Sequence, residues 1–437
     1  MKGRIAFVLY LYPLGVSSMI VNSIKMFADK GIDVDVYIDK ATHDALPVAF
    51  KQQNINVIIY DDAISFWKRV VRYVHSKIGF ILFRCLLIWL KTAKKYNLNI
   101  PSGLFAIYYL EDYLFAKWLK LMLKKGYDYI CPVEAKSLIV ASGICQKIIY
   151  YNMELLDWSV DNPIYTKDIL LQKLFEYNAL QNVNAVVIQN EKRLEQFRKI
   201  NDYKKKMYLL PVASMGDPIL TPNSFFRDKF AIPRDVQIVV YSGNIMPWAK
   251  CIEMVDSVKN WPAGFCLVLH TWRKDVFETG YGLEVKKHAN GLPVYLSEDY
   301  LDIEDLAKCL SSSYIALMFY EPIDSNFVEI LFSSNKLAEY LKAGLPVITS
   351  DFSELKKFIS AHGIGETVSA MTEIPSAITR ISENYDSYKS NVMECYQNVF
   401  RFEIYFEPLF AELYQTGFDN MTIISHNNIG NDFKLSS

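Results

Sequence analysis

Short apolar runs alternating with helical stretches, in two separate series, constrain this chain more than any other feature of it. Ile5 to Leu11 is apolar without interruption, which suits a parallel strand covered on both faces. A turn of Pro13, Leu14, Gly15, Val16 and Ser17 comes next. Ile20, Ile24 and Phe27 then recur at helical spacing until Gly31, and Val34 to Ile38 is a second strand. Further strands are predicted at Val57–Tyr60, Tyr129–Val133, Ile148–Asn152, Ala185–Gln189 and Met207–Leu210. Pro211 and the segment Val212 to Pro218 break the alternation and read as a linker. A second series occupies Gln237–Tyr241, Phe265–His270, Val294–Leu296, Ile315–Phe319 and Leu345–Thr349, with a helix over Asn335–Ala343 closed by Gly344. Such alternation builds doubly wound parallel sheets, so the fold class is α/β with two sheet domains. The expected boundaries are 1–212 and 213–399, then an aromatic helix at 400–415 and a flexible polar tail at 416–437. Ligands in such folds sit beyond the carboxyl ends of the strands, which here means the cleft between the domains.

Composition narrows the function classes. A length of 437 residues supports two cores, and 51% hydrophobic with 22% charged residues indicates a packed globular protein. A net charge of −1 argues against nucleic acid as a partner, because phosphate-backbone affinity needs a strong basic excess. The seven cysteines are scattered with no Cys-x-x-Cys pair, as expected of free thiols in a reducing compartment. The basic start and short apolar run at the N-terminus read as a first strand, not a signal peptide. Ile78 to Leu90, the longest apolar stretch elsewhere, is interrupted by Arg84 and too short to span a bilayer. A cytoplasmic location is expected.

The most informative segment is Ser333 to Ser350. Ser333 or Ser334 is a helix N-cap, so a serine hydroxyl and unpaired backbone N–H groups gather where an anion would bind. Lys336 stands in the first helical turn, where the helix dipole disfavours a cation unless something negative lies close by. Glu339 is one turn further along the same face. Three to five residues of helix rise about 5–8 Å, comparable to the reach from a phosphate to a ribose diol. An ordinary surface Lys–Glu pair would have the same spacing.

Lys336-Leu337-Ala338-Glu339-Tyr340-Leu341-Lys342-Ala343-Gly344-Leu345-Pro346-Val347-Ile348 resembles the donor-site helix and following strand of GT-B glycosyltransferases of the family 4-like type. The resemblance extends over most of the chain. Tyr241-Ser242-Gly243-Asn244 with Lys250 is similar to the family's Gly-Arg…Lys phosphate loop, and Ala185 to Asn190 with Glu191 and Arg193 to the end of its N-terminal domain. It implies a GT-B fold of two Rossmann-like domains, with Glu339 on the nucleotide ribose and Gly243, Asn244, Ser333, Ser334 and Asn335 around the donor. His270, at a strand end, is placed to stack near the base. Two positions depart from the pattern. Asn244 replaces the usual arginine, leaving Lys250 as the main cation of its loop. Leu331 replaces the first of two glutamates eight apart, so that role falls to Glu321, Asp324 or Glu329, or is absent.

The resemblance implies transfer of a sugar from a nucleotide sugar, UDP- or GDP-linked, to a glycan or lipid-linked acceptor, with retention of configuration. Lys250, Lys336 and the capped helix would stabilise the leaving diphosphate, so no metal and no separate cofactor is required. Asp33-Val34-Asp35, the one Asp-x-Asp, reads as the polar side of an exposed strand and not as a metal clamp. Gly15 and Ser17 in the first strand–helix turn, and Glu134 and Glu154 after later strands, are expected to face the acceptor, with Glu154 the catalytic-face carboxylate. Glutamates placed only to favour a helix start would look the same. Residues 63–110 interleave basic and aromatic side chains, among them Lys68, Arg72, Trp67 and Trp89, with no acidic residue. That pattern suits peripheral contact with an anionic membrane, such as the inner face of the plasma membrane. A non-catalytic GT-B scaffold that binds a nucleotide sugar or a partner transferase is the alternative.

Overall fold

The computed structural model describes residues 3–61, 110–123, 126–144, 146–158 and 167–416. The expectations for most of the 63–110 segment and for the tail from 417 onward lie outside the described residues. In the N-terminal half, β1 (Arg4–Leu9), β2 (Asp33–Asp39), β3 (Ile55–Tyr60) and β4 (Tyr129–Pro132) form a sheet of order β3-β2-β1-β4. Strands β5 (Ile149–Tyr151), β6 (Ala185–Ile188) and β7 (Lys206–Leu209) form a second sheet in that order. Single parallel bridges, Ile130 to Ile148 and Val133 to Tyr151, carry the first sheet into the second. In the C-terminal half, β8 (Gln237–Ser242), β9 (Phe265–His270), β10 (Val294–Ser297), β11 (Ile315–Met318), β12 (Val347–Ser350) and β13 (Gly365–Val368) run β10-β9-β8-β11-β12-β13. Every pairing is parallel. Strand order reverses beside β1 in one domain and beside β8 in the other, and these switch points are where such sheets open to ligands.

Seven helices line or support the space between the sheets: α1 (Ser18–Asp29), α2 (Glu134–Ala141), α3 (Glu191–Asn201), α4 (Cys251–Ser257), α5 (Ile303–Leu310), α6 (Asn335–Lys342) and α7 (Phe402–Ala411). The stripe of Ile20, Ile24 and Phe27 predicts one buried face for α1, yet the helix is buried from Ser18 to Ala28. Helix α7 packs against α1 at Phe27, whose ring lies 4.8 Å from that of Phe406 in an edge-on contact. Phe402, Phe406, Leu409 and Leu413 belong to the same core as β1 and β2. The C-terminal sheet is packed on both faces, with α6 on one side through Leu337, Ala338, Tyr340 and Leu341. Gly344 adopts φ 75° after α6, a left-handed turn that favours glycine, and Leu345 N–H closes back onto Tyr340 O.

Two expectations from the sequence are corrected by the fold. Asp35 is not on an exposed strand: it is 1% exposed and accepts hydrogen bonds from Arg4, from Tyr127 (2.5 Å) and from Asn56 (2.9 Å). The strand is internal because β3 covers its outer edge. Strand β13 is additional to the predicted strands, because Gly-Glu-Thr-Val carries one large apolar side chain and no clear alternation. The five described cysteines are buried free thiols. Among the described residues no helix is long and apolar enough to cross a membrane.

Candidate active site

A cleft of about 520 Å³ separates the two domains. Gly15, Val16, Ser18, Lys25 and Lys51 contribute from the N-terminal side, and Gly243, Asn244, His270, Trp272, Lys336 and Glu339 from the other. Helix α6 organises this wall. Ser334 takes an extended backbone (φ −109°, ψ 126°) and its Oγ accepts from Lys336 N–H at 3.2 Å, satisfying one of the orphan donors of the first turn. One turn on, Glu339 is 3% exposed. Its Oε1 accepts from the Ser214 hydroxyl at 2.5 Å, while Oε2 is buried with no partner. Burial pushes this carboxyl above the usual glutamate range, with Lys342 and the Ser214 bond opposing.

Asn335 joins the domains. Its Oδ1 accepts from Ser18 N–H (3.2 Å) and the Ser18 hydroxyl (2.9 Å), and its Nδ2 donates to Val16 O (2.6 Å). Ser333 and Ser334 do not line the cleft. The Ser333 Oγ accepts from Asn190 (3.1 Å), and the Ser334 Oγ lies 2.8 Å from the Tyr320 hydroxyl. Gly243 takes φ 155° and donates to His270 O at 2.9 Å. The His270 ring is 2% exposed and 3.0 Å from Ser297 Oγ; burial, aided by nearby Lys229, lowers its pKa to about 4. It is therefore neutral at ordinary pH.

Lys250 is not among the residues lining the cleft. It leaves the tight turn Pro247–Ala249 in a left-handed conformation (φ 55°), and that turn brings Trp248 toward Lys336 instead. Lys336 is thus the cleft cation on this wall. From the opposite wall come Lys25 and Lys51, which no local pattern in the sequence singles out. Both bond to Glu304 at the start of α5, at 2.5 and 2.8 Å, and together they lower the Glu304 pKa to about 2. Lys25 is 6% exposed. The Tyr300 hydroxyl adds a bond across the gap to Pro47 O at 2.7 Å.

The expected acceptor-side groups separate into two places. Gly15 lines the cleft beside Leu46, whereas Ser17 is buried behind it. Glu134 and Glu154 lie outside that lining, at the ends of β4 and β5. Glu134 starts α2 with φ 67°, and its Oε1 accepts from the N–H groups of Met153 (2.6 Å) and Glu154 (2.8 Å). Burial first, and the Glu154 charge second, raise its pKa to about 8. Glu154 is 60% exposed and 3.9 Å from Arg193. The buried Arg193 guanidinium donates to Met153 O, Gln189 Oε1 and, across the domain boundary, Asn326 O at 3.0 Å. Of the three acids weighed against Leu331, Asp324 caps its own turn by accepting from Asn326 and Phe327 N–H, and none of the three lines the cleft.

Solved structures share this fold. A sucrose-phosphate synthase from Thermosynechococcus elongatus superposes with a TM-score of 0.61 at 16% identity, covering 94% of this chain and 100% of the other. HepE from Anabaena, solved in complex with UDP-glucose, gives 0.63 at 13% identity over 94% and 100%. WaaG, described as a glycosyltransferase involved in lipopolysaccharide biosynthesis, gives 0.59 at 13% over 92% and 98%. The two facing parallel-sheet domains and the cleft between them are the GT-B fold of glycosyltransferases. Within that fold, residues 324–406, which contain α6, match the family described as "Glucosyltransferase 3-like, C-terminal domain". No curated protein matches the sequence.

Proposed function

We propose that the protein is a glycosyltransferase that moves a sugar from a nucleotide sugar to a glycan or lipid-linked acceptor. The observation that carries this reading is Glu339: a cleft-lining residue with a buried carboxylate oxygen that has no partner, one turn from a capped helix start. Leaving such an oxygen unpaired costs about 1–3 kcal/mol, and a ribose diol would supply two O–H donors to it. The diphosphate then falls near Lys336 and the first turn of α6, and the base near His270 and Trp272. As the bond from the anomeric carbon to the β-phosphate oxygen breaks, negative charge grows on that phosphate. Lys336 and the helix N–H groups stabilise it without reorganising. The acceptor oxygen bonds to the anomeric carbon, and its proton passes to the departing phosphate, which gives retention. The scheme assigns no role to a metal ion. Glu154, exposed beyond the cleft lining, is the carboxylate open to acceptor hydroxyls, whereas Glu134 Oε1 is engaged by two backbone N–H groups.

A thermal-shift series with UDP-glucose, other UDP-sugars and GDP-sugars tests the donor assignment, together with turnover of the donor that stabilises. Stabilisation without turnover toward any glycan or lipid-linked acceptor would instead favour the scaffold reading, which the loss of arginine at Asn244 and the placement of Lys250 support. The basic, aromatic 63–110 segment supports peripheral membrane contact from the cytoplasmic side. Co-sedimentation with anionic vesicles at low salt tests that, and no binding removes it.

A further inference from the structure

Lys336 carries an unusual environment for a cleft cation. Its Nζ lies 4.9, 5.6 and 5.7 Å from the ring centroids of Tyr320, Tyr241 and Trp248. The Tyr320 and Trp248 rings are parallel within 1°, with centroids 5.8 Å apart. Three hydrogen bonds close a circuit around the side chain. Lys336 N–H donates to Ser334 Oγ, Ser334 Oγ and the Tyr320 hydroxyl are 2.8 Å apart, and Lys336 Nζ donates to that hydroxyl at 3.1 Å. The turn after β8 closes the remaining side: a Cβ on Gly243 would fall 2.5 Å from Lys336 Cε. Among the described residues, no carboxylate forms an ion pair with Lys336.

The way this ammonium is held matters. An aromatic face attracts a cation through its quadrupole and fixes its position, yet carries no net charge to cancel. A carboxylate would fix it as well and neutralise it, leaving little field for a leaving group. Flexible lysines lose much conformational freedom when they bind, so restraint before binding strengthens binding. Resting on the donor reading above, we propose that Trp248 and Tyr320 are positioning residues that hold Lys336 preorganised and uncompensated for the β-phosphate of the donor. Phe327 packs on both rings, at 5.3 and 6.2 Å, and the adjacent Asn326 bonds to Leu155 of the N-terminal domain at 2.9 Å. The ring packed on the pair that holds the cation is thus next in the chain to a contact between the domains.

The test compares nucleoside diphosphate with monophosphate, because only the diphosphate reaches the caged ammonium. Calorimetric titration with UDP and UMP, and with GDP and GMP, gives the affinity ratio conferred by the β-phosphate. In Trp248→Leu that ratio is expected to fall about tenfold, equal to about 1.4 kcal/mol, with monophosphate affinity unchanged. Trp248→Phe keeps a π-face and is expected to retain most of the ratio. Tyr320→Phe, which removes only the hydroxyl, is expected to fall between them. Equal loss of monophosphate and diphosphate affinity in Trp248→Leu, or an unchanged ratio, overturns the positioning role while leaving the donor reading in place. Absence of any diphosphate binding by the unmodified protein overturns the donor reading, and this inference with it.

Discussion

Glu339→Gln has opposite consequences for the free and liganded protein, and the structure sets both. In the free protein Oε1 keeps the Ser214 hydrogen bond, and Oε2 is buried without a partner. Glutamine can preserve the first contact and removes the tendency of burial to oppose ionisation. The unliganded variant is therefore expected to match or exceed the parent in stability, by up to about 1 kcal/mol. In the complex, a carboxylate accepting two ribose hydroxyls makes two charge-assisted hydrogen bonds. An amide oxygen accepts more weakly, and the amide nitrogen accepts nothing. The expected loss is about 2–3 kcal/mol, roughly 30- to 150-fold in Kd. The assay is calorimetric titration with the nucleoside diphosphate that stabilises the parent, alongside its 2′-deoxy analogue. Removing the 2′-hydroxyl should weaken binding to the parent, and much less to Glu339→Gln, because the two changes delete the same interaction. Unchanged affinity in Glu339→Gln, or equal penalties for the deoxy analogue in both proteins, would refute the ribose assignment.

Three further outcomes are expected. Glu304→Gln leaves the buried Lys25 ammonium without its partner and should destabilise the parent by about 1–3 kcal/mol in urea denaturation; combining it with Lys25→Met should recover much of that loss. Gly243→Ala forces a Cβ into Lys336 at a φ of 155°, so diphosphate affinity should drop at least tenfold (about 1.4 kcal/mol) in a fluorescence titration. Glu134 has a folded pKa raised to about 8, so the folded state holds a proton that the unfolded state releases. Its contribution is greatest at acid pH and is lost as pH rises from the ordinary glutamate range toward 8. Glu134→Gln should flatten that part of the stability profile, and an unchanged slope between pH 5 and pH 9 (roughly the window set by this linkage) would count against the shift.

Much of the architecture is visible in the chain because parallel strands buried on both faces must be continuously apolar. Ile5 to Leu9 and Phe265 to His270 are such strands. Where that requirement lapses, as at the polar edge strand β13, the signal disappears. The site is only half legible. Helix α6 announces itself through a serine cap, a first-turn lysine and a closing glycine, all local features. Lys25 gives no such sign: it sits off the apolar stripe of α1 and pairs with Glu304, which arrives from a distant segment. Asn335 reads as a donor contact and is a clamp between domains, for the same reason. The resemblance of the Gly243 loop to the family's phosphate loop points to Lys250, but a left-handed turn redirects the backbone at that position, which the residue pattern does not report.

The way α7 is used has a consequence for synthesis. Phe406 packs on Phe27 of α1, and Phe402, Leu409 and Leu413 complete the core that begins with Ile5 and Phe7. On a ribosome the first domain would emerge with Phe27 packed on Phe7 but lacking Phe406, and would wait for the entire second domain before that last aromatic layer arrived. The core of the first domain is therefore completed by residues made after the second, and until they arrive the surface they cover stays exposed.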